Sequence, residues 1–348
     1  MTFRPLALVV FASLLCACGG VAAPVASTGS APAKPTGSAA ASGGAGLTKL
    51  SVAHSVASPG FWPLYMAADT GIFARNGLDV SVQIIPGATN AAAAMVSGQI
   101  QFAQFGGGAA MASAVNGSDL LILAVIIPRH QFVIYGGPDV KTPADLKGKK
   151  VGVVSLGGSE DHISVRQGLR YAGVDPDKDV SILAVGPERV AALTNGAVQA
   201  ASLTPPDTLK AEAAGFHPVL NIASTGLPHL GQSSVSTRAY VSSHRDLTQK
   251  YVDSIVQGIA KLRQDRALAI DVLGKRIKSD DQQAMGVAYD YYTKEIYPVY
   301  PEPKPELFQD AVEELQKEDP KIGKLDVNTI IDASFVKNAQ SREVAKLS

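Results

Sequence analysis

The order strand, helix, strand, helix, strand occurs twice along this chain, and this internal repeat constrains the fold more than any other feature. Gly77-Leu-Asp79 and Gly173-Val-Asp175 each follow a helical stretch and precede a strand. Gly98-Gln-Ile-Gln101 and Gly196-Ala-Val-Gln199 each follow a short Ala-rich helix and lead into another strand. Helices that alternate with short strands predict a parallel sheet. The repeat therefore predicts an α/β protein of two similar lobes.

The boundaries of the repeated elements follow from hydrophobic spacing and from glycines that end helices. Strands are predicted to begin at Leu47, Leu78, Gln101, Lys149 and Val180, and helices to span residues 64–76, 90–97, 159–172 and 251–262. In parallel sheets, ligands bind outside the carboxyl ends of the strands, where helix N-termini offer free N–H groups. Two such edges facing each other would form a cleft that a hinge motion can close around a small molecule.

The N-terminus has the pattern of an export signal. Arg4 precedes an apolar stretch, Leu6–Leu15, which is too short to span a bilayer, so residues 1–17 are predicted to be a signal peptide. Leu15-Cys-Ala-Cys18 resembles the bacterial lipobox, which implies cleavage before Cys18 and lipid attachment to its thiol. A plain signal peptide is the alternative, and a frame with Cys16 as the lipid acceptor fits less well. Residues 18–46, rich in Gly, Ala, Ser and Pro, are predicted to be a flexible tether to the membrane.

Composition excludes several classes of function. Lys plus Arg and Asp plus Glu both number 31, and this balance argues against a nucleic-acid partner. Both cysteines lie before Gly19, so the body has no disulfide, no cysteine metal site and no cysteine nucleophile. No His-Glu-x-x-His, Gly-x-Ser-x-Gly or P-loop motif occurs. We therefore predict a protein that is not an enzyme and has no cofactor and no metal site. The tyrosine-rich segment from Tyr289 to Tyr300 is interpreted as a surface segment.

Three segments resemble one family of binding proteins. They are Trp62–Val80, Met95–Ala103 and Lys141–Val153, and Gln101 in the second stands where the family usually has Asp. Over residues 47–275 the chain resembles the binding proteins for aliphatic sulfonates, taurine, nitrate and thiamine-precursor pyrimidines. The resemblance implies the two-lobe periplasmic binding protein fold of type II, with a mostly parallel sheet in each lobe. It also implies a monomer that delivers a small molecule to the permease of an ABC transporter.

The family fold further implies a division of the body into two lobes. Lobe I would hold residues 47–134 and 239–348, and lobe II would hold residues 135–238. The crossings between the lobes would lie near Val133–Gly137 and near Ser234–Tyr240.

The candidate ligand residues lie on loops at the predicted cleft. In lobe I they are Ser58, Phe61, Trp62, Thr89, Asn90, Gln104, Phe105, Gly106 and Gly107; in lobe II and near the crossings they are Arg129, Ser155, Gly158, Ser159, Thr204 and Gln232. Several have a second interpretation: Phe61 and Trp62 could fill the core of lobe I, and Thr89 or Asn90 could cap a helix. Arg129 and Gln232 could instead lie free on the surface. His162 is interpreted as a surface residue of a helix, and Asp207 as a helix cap.

The sequence leaves two classes of ligand. Helix N-termini together with Arg129 favour a small organic anion such as an aliphatic sulfonate. Phe61, Trp62, Phe105 and Phe132 would suit a flat heterocycle such as a thiamine-precursor pyrimidine. Two other kinds of protein remain as alternatives: an enzyme resembling the eukaryotic pyrimidine synthases, and a cell-surface sensor or scaffold. The absence of cysteine from the body argues against the enzyme.

Overall fold

The computed structural model describes residues 46–346, and two five-stranded sheets lie within them. The strands are β1 (Thr48–His54), β2 (Leu78–Ile84), β3 (Phe102–Gly106), β4 (Leu120–Val125), β5 (Val133–Gly136), β6 (Lys150–Val153), β7 (Ser181–Ala184), β8 (Ala200–Leu203), β9 (His217–Asn221) and β10 (Gln232–Thr237). The first sheet has the order β2-β1-β3-β10-β4, and the second has the order β7-β6-β8-β5-β9. We call the first sheet and its helices lobe I, and the second sheet and its helices lobe II.

Helices cover both sheets and continue beyond the last strand. They are α1 (Trp62–Asp69), α2 (Ile72–Arg75), α3 (Ala88–Val96), α4 (Gly107–Val115), α5 (Glu160–Tyr171), α6 (Arg189–Thr194), α7 (Asp207–Ala213), α8 (Arg238–Ser243), α9 (Arg245–Gln264), α10 (Arg266–Ile277), α11 (Gln282–Tyr291), α12 (Gln309–Leu315) and α13 (Ser334–Ser341). A π-helical turn, Tyr292–Ile296, follows α11. In the part of the chain that the structure describes, no helix is both long and apolar enough to cross a membrane.

The predicted repeat is confirmed in the topology of the two sheets. In each sheet the first three strands of the repeat are parallel, and the next position is taken by an antiparallel strand, β10 in lobe I and β5 in lobe II. The repeat extends to single side chains. The Gln101 side chain accepts a hydrogen bond from Ser51 N and donates to Gly98 O, and the Gln199 side chain makes the matching contacts with Lys150 N and Gly196 O. Gln101 thus performs a turn-closing role although the family pattern has Asp there.

The predicted boundaries of the repeated elements agree with the structure within a few residues. The predicted helix 64–76 is divided into α1 and α2 because Gly71 interrupts it with a φ of +74°. Gly77 and Gly173 have φ values of +80° and +76°, and both end a helical turn before a strand. Only glycine adopts this left-handed backbone readily, which explains why both copies of the repeat keep it there.

The crossings between the lobes begin earlier than the sequence indicated. β5 belongs to the sheet of lobe II and β10 to the sheet of lobe I, so the connecting segments are residues 126–132 and 222–231. β10 reads Gln-Ser-Ser-Val-Ser-Thr, which has no apolar pattern, yet it is central and largely buried. Its serine hydroxyls form hydrogen bonds inside the protein; for example, Ser236 Oγ donates to Gln101 O at 2.7 Å. A polar central strand is easily mistaken for a loop.

The long C-terminal segment closes the core of lobe I and also reaches lobe II. α9 packs against α1, and Trp62 lies in the same apolar cluster as Tyr251 and Ile255. α12 packs against both α4 of lobe I and α5 of lobe II. Residues 309–315 therefore contact both lobes.

The tyrosine-rich segment, residues 289–300, was expected on the surface. This expectation is wrong, because Tyr292 and Tyr297 are buried.

Candidate functional site

The two lobes meet where α4 and α5 begin. A Cβ atom placed on Gly106, at the end of β3, would lie only 3.1 Å from the backbone nitrogen of Glu160. A Cβ atom on Gly108 would lie 2.5 Å from Ile163 Cδ1 and 3.1 Å from Gly158 O. Because these glycines have no side chain, the backbones at the helix N-termini of the two lobes can approach each other directly. We call this line of contact the seam.

Buried polar atoms lie together at the seam, and we call the residues that carry or border them, Gly60, Gln131, Glu160, Gln232 and Tyr292, the seam site. Gln131 Nε2 donates to Glu160 Oε1 at 2.6 Å, and the Tyr292 hydroxyl donates to Gln131 Oε1 at 2.6 Å. A Cβ atom on Gly60 would lie 3.4 Å from Gln232 Cγ, so the first loop of lobe I borders the same site. The site thus joins both lobes, the first crossing and the C-terminal segment.

Two acceptor atoms of the seam site have no hydrogen-bond partner among the described residues. They are Glu160 Oε2 and Gln232 Oε1, and both are buried. Burial raises the pKa of the Glu160 carboxyl to about 7, against the opposing influence of His229 and the neighbouring amides. Buried polar atoms are nearly always paired, so unpaired acceptors in one place indicate a site for a molecule that donates hydrogen bonds.

A positive charge of lobe II, on Arg189, is balanced by a carboxylate of the same lobe. Arg189 Nη1 lies 3.6 Å from Asp161 Oδ2 and 3.4 Å from Ser202 Oγ, and its guanidinium carbon lies 6.0 Å from the centre of the Phe132 ring. The Asp161 carboxylate also accepts from the backbone N–H of Val154 at 2.5 Å. The Asp161 carboxylate therefore balances the charge of Arg189, whereas Arg189 Nε is buried without a hydrogen-bond partner among the described residues.

A second buried group lies beside the seam site, and we call His130, Ser164, His229 and Asp310 the histidine cluster. The rings of His130 and His229 stack with their centres 4.2 Å apart. Ser164 Oγ lies 2.9 Å from His130 Nδ1 and 3.4 Å from His229 Nε2, and Asp310 Oδ2 contacts His229 Nδ1. Within residues 46–346, His130, His229 and Asp310 are the group of three whose ligand atoms lie close enough to hold a metal ion.

The structure brings several of the predicted ligand residues to the seam. Gly106 and Gly158 form the close approach of the lobes, and Gln232 pairs with Gly106 across the sheet. Thr204 lies beside the Tyr292 hydroxyl. Three others lie close by: Gly107 packs against Leu230, Ser58 Oγ is near Gly60, and Phe105 belongs to an apolar cluster that includes Ile163 of lobe II.

Other predicted residues lie away from the seam site. Trp62 is fully buried in lobe I and its indole N–H donates to Ala269 O at 2.9 Å, and Phe61 is equally buried with its ring 4.9 Å from that of His54. Both aromatics therefore fill the core, which was the second interpretation of the sequence. The Gln104 amide donates to Ser234 Oγ at 2.9 Å within lobe I.

The remaining predicted residues make local contacts or face solvent. Ser159 Oγ lies 2.5 Å from Ser155 O and 2.9 Å from Asp161 Oδ1, so its single hydroxyl proton is used within its own loop. Thr89, Asn90, Arg129 and Ser155 are exposed. Asn90 Nδ2 donates to Pro86 O at 2.9 Å near the start of α3. Cys18, the predicted signal peptide and the predicted tether up to residue 45 lie outside the described residues. His162, interpreted as a surface residue, is instead buried.

Sequence reasoning missed the residues that carry most of the polar contacts at the seam. Glu160 directly follows the candidate ligand residue Ser159 but was not itself a candidate. Gln131 and His130 follow Arg129 directly, on a crossing that was placed a few residues too late. Tyr292 comes from a C-terminal segment whose position relative to lobe II no local pattern reveals. The one available signal was the run Ile126-Ile-Pro-Arg-His-Gln131, which sets polar residues directly after a buried strand.

Two five-stranded sheets of this order, joined by two crossings, define the class of two-lobe periplasmic binding proteins. The fold is similar to that of the aliphatic sulphonate binding protein SsuA from Escherichia coli, with a TM-score of 0.67 and 20% identity over 82% of this chain and 92% of that one. It is also similar to the nitrate-binding protein NrtA from Synechocystis PCC 6803, with a TM-score of 0.62 and 16% identity over 85% of this chain and 89% of that one.

Sequence comparison gives the family within this class. The profile of the family described as NMT1/THI5 like matches residues 58–267, more than half of the chain, and the chain belongs to that family. A relative from Brachyspira hyodysenteriae, whose name describes an ABC transporter periplasmic binding protein, is 28% identical over 130 residues. That match spans 37% of this chain and 37% of the relative.

Proposed function

We propose that this protein is the extracytoplasmic solute-binding subunit of an ABC importer. The fold shared with SsuA and NrtA and the name of the Brachyspira relative support this function. The seam supports it independently, because two lobes joined by two short crossings can open by hinge motion and close around a small molecule. The closed pair of lobes would then present the bound solute to a permease.

We further propose that the solute is a small, flat heterocycle bearing N–H donors, such as an aminopyrimidine. The observation that carries this proposal is the buried carboxyl of Glu160, which has one oxygen without a partner. Sulfonate and nitrate oxygens only accept hydrogen bonds, so they cannot pair with Gln232 Oε1, and they would meet a like charge whenever Glu160 is ionised. Arg129, the cation that the sequence offered to an anion, is exposed. The structure therefore supports the heterocycle over the organic anion.

The surroundings of Glu160 suit a flat ring. The Tyr292 and Tyr297 rings lie with their centres 5.4 Å apart at the seam, and Tyr297 donates to Pro59 O in the first loop of lobe I. Aromatic rings bind planar ligands by stacking, while amides such as Gln131 and Gln232 both donate and accept. An N–H donor on the ligand would pair with the free oxygen of Glu160 and favour its charged form.

Isothermal titration calorimetry with 4-amino-2-methylpyrimidine, taurine and nitrate tests the ligand proposal. We expect the pyrimidine to bind and Glu160→Gln to weaken its binding by about 10–150-fold, because a hydrogen bond to a charged group contributes about 1.5–3 kcal/mol. Glu306→Gln changes an exposed glutamate and is the matched control. Binding of taurine in preference to the pyrimidine would overturn the proposal, and so would a Glu160→Gln variant of unchanged affinity.

A pyrimidine-synthase-like enzyme has less support than a binding protein. No cysteine follows Cys18, so the body has no thiol for such chemistry. We expect the bound pyrimidine to be recovered unchanged after prolonged incubation, as measured by mass spectrometry. A product of altered mass formed in proportion to protein would show that the protein is an enzyme.

We propose in addition that lipid on Cys18 anchors the protein outside the cytoplasmic membrane. The apolar segment before it and the lipobox-like Leu15–Cys18 support this. Metabolic labelling with a radioactive fatty acid should mark the full-length protein. Cys18→Ser should abolish the label, whereas Cys16→Ser should keep it because Cys16 would leave with the signal peptide. A labelled Cys18→Ser protein would contradict this assignment.

A further inference from the structure

The histidine cluster joins four parts of the fold that are distant in sequence. His130 lies on the first crossing, His229 on the second, Ser164 on α5 and Asp310 on α12. Each of the four side chains is nearly or fully inaccessible to solvent, with residue exposures of 1%, 0%, 0% and 6% in the same order. A buried group on both crossings is placed where it can affect how the lobes stand relative to each other.

The hydrogen bonds of the cluster leave one strong ligand atom unused. If His229 Nδ1–H donates to Asp310 Oδ2, then His229 Nε2 accepts from the Ser164 hydroxyl, and Ser164 Oγ accepts from His130 Nδ1–H. Every donor then has an acceptor. His130 Nε2 remains a bare lone pair with no hydrogen-bond partner, 3.8 Å from Asp310 Oδ2. A lone pair facing a carboxylate in a dry interior is unfavourable unless a proton or a metal ion lies between them.

The charges around the cluster also call for a cation. The ion-pair contacts of Asp310 and Glu160 within residues 46–346 are to histidine alone, with His229 Nε2 lying 4.0 Å from Glu160 Oε1. Arg166 on α5 is instead paired with Glu314 at 2.7 Å. Two buried carboxylates therefore share one region without a lysine or arginine partner.

We propose that His130 Nε2, His229 Nδ1 and Asp310 Oδ2 bind a transition-metal ion of the zinc class. Two imidazoles and one carboxylate form a ligand set that zinc accepts, leaving a position for a further ligand. The three ligand atoms lie within 4.8 Å of one another. Tetrahedral bonds of about 2.0–2.1 Å place neighbouring ligands roughly 3.3 Å apart, so side-chain shifts of about 1 Å would complete the site.

Ser164 is positioned to support both histidine ligands. With a metal bound, His229 Nδ1 loses its proton to the solvent, and each ring carries its remaining proton on the nitrogen that faces Ser164. The Ser164 oxygen has two lone pairs and can accept from both rings, which would fix their orientation. The three ligands come from separate segments of the chain, so no spacing in the sequence indicates this site. The proposal does not depend on the identity of the solute.

Zinc and cobalt binding to the chelator-treated full-length protein test this site. We expect one Zn²⁺ per chain by calorimetry, visible d–d bands with Co²⁺, and two imidazole ligands by X-ray absorption at the zinc edge. His130→Gln should weaken Zn²⁺ binding by more than about 100-fold, beyond the 10–100-fold typical of losing a supporting residue. His244→Gln changes an exposed histidine and should leave the affinity unchanged.

Three results would overturn the proposal. They are no Zn²⁺ binding by the wild-type protein, equal binding by the His130→Gln variant, and a wild-type absorption spectrum with fewer than two imidazoles. The last measurement uses the unmodified protein, so it decides the question even if His130→Gln fails to fold. Failure of zinc binding leaves pyrimidine binding at the seam site unaffected, which distinguishes the two proposals.

Discussion

Replacing Gly106 by valine should separate the two lobes without disturbing either of them. Gly106 has φ −57° and ψ 128°, a conformation that valine adopts without strain, so the change costs little within lobe I. Across the seam, its Cβ would lie 3.1 Å from Glu160 N and 3.5 Å from Glu160 Cβ. The nearest obstacle is backbone in the first turn of α5, which cannot rotate away as a side chain would.

The size of the effect follows from this contact. Overpacking by added methyl groups costs about 1–3 kcal/mol, and here lobe II can relieve it by moving away from lobe I. A closed arrangement weakened by 1–3 kcal/mol reduces the affinity for a solute that needs closure by about 5–150-fold. The free energy of unfolding of the separate lobes should hardly change.

Small-angle X-ray scattering of the ligand-free protein is the direct assay. Gly106→Val should have a larger radius of gyration than the wild-type protein and should bind 4-amino-2-methylpyrimidine more weakly. Gly137→Val is the matched control, because the nearest atom to a Cβ there is 3.8 Å away, in Phe216. A Gly106→Val protein with unchanged scattering and affinity would refute the reasoning that this contact governs closure.

Three further variants test stability. Gly258→Ala should lower the free energy of unfolding in urea by about 1–3 kcal/mol, because its Cβ would overlap the carbonyl oxygen of Pro63 where α9 crosses α1. The Cβ atom in Gly286→Ala would meet only the tip of the Arg266 side chain, so this change should be neutral or should stabilise the protein by up to about 1 kcal/mol. Equal losses of stability in the Gly258→Ala and Gly286→Ala variants would contradict this packing. Burial lowers the pKa of His54 to about 4, which favours the neutral imidazole in the folded protein. The contribution of this neutral imidazole to the free energy of unfolding is complete above pH 6.5 and is lost as the pH falls towards 4. His54→Gln should therefore reduce the loss of stability between pH 7 and pH 4.5 by about 2–3 kcal/mol, and an unchanged pH profile would argue against a buried neutral imidazole.

The sequence was sufficient for the fold where the signal is local. Gly77 and Gly173 end helices in both copies of the repeat because their positive φ requires glycine, and hydrophobic spacing marks the strands on either side. The exception is β10, whose serines resemble a loop yet find partners inside the sheet. A polar strand of this kind becomes recognisable only once its neighbours are known.

The binding site was less predictable because its parts meet only after folding. A loop between strand and helix places Trp62 at the predicted rim, but its indole N–H reaches Ala269, more than two hundred residues later in the chain, and this fixes the ring in the core. Glu160 has the sequence context of a first-turn acid, and only the approach of Gly106 and Gln131 makes it a buried seam residue. Tyr292 joins the site through the C-terminal segment. No spacing rule relates these positions.

The most direct test of the proposed function is a thermal-shift screen of the wild-type protein against aminopyrimidines, alkanesulfonates and nitrate. A solute at 100 times its Kd stabilises the protein by about 2.7 kcal/mol, which raises Tm measurably. We expect an aminopyrimidine to raise Tm and the sulfonates and nitrate to leave it unchanged. Stabilisation by an alkanesulfonate alone would contradict the role assigned to Glu160, and no stabilisation by any of the three classes would contradict the proposed solute.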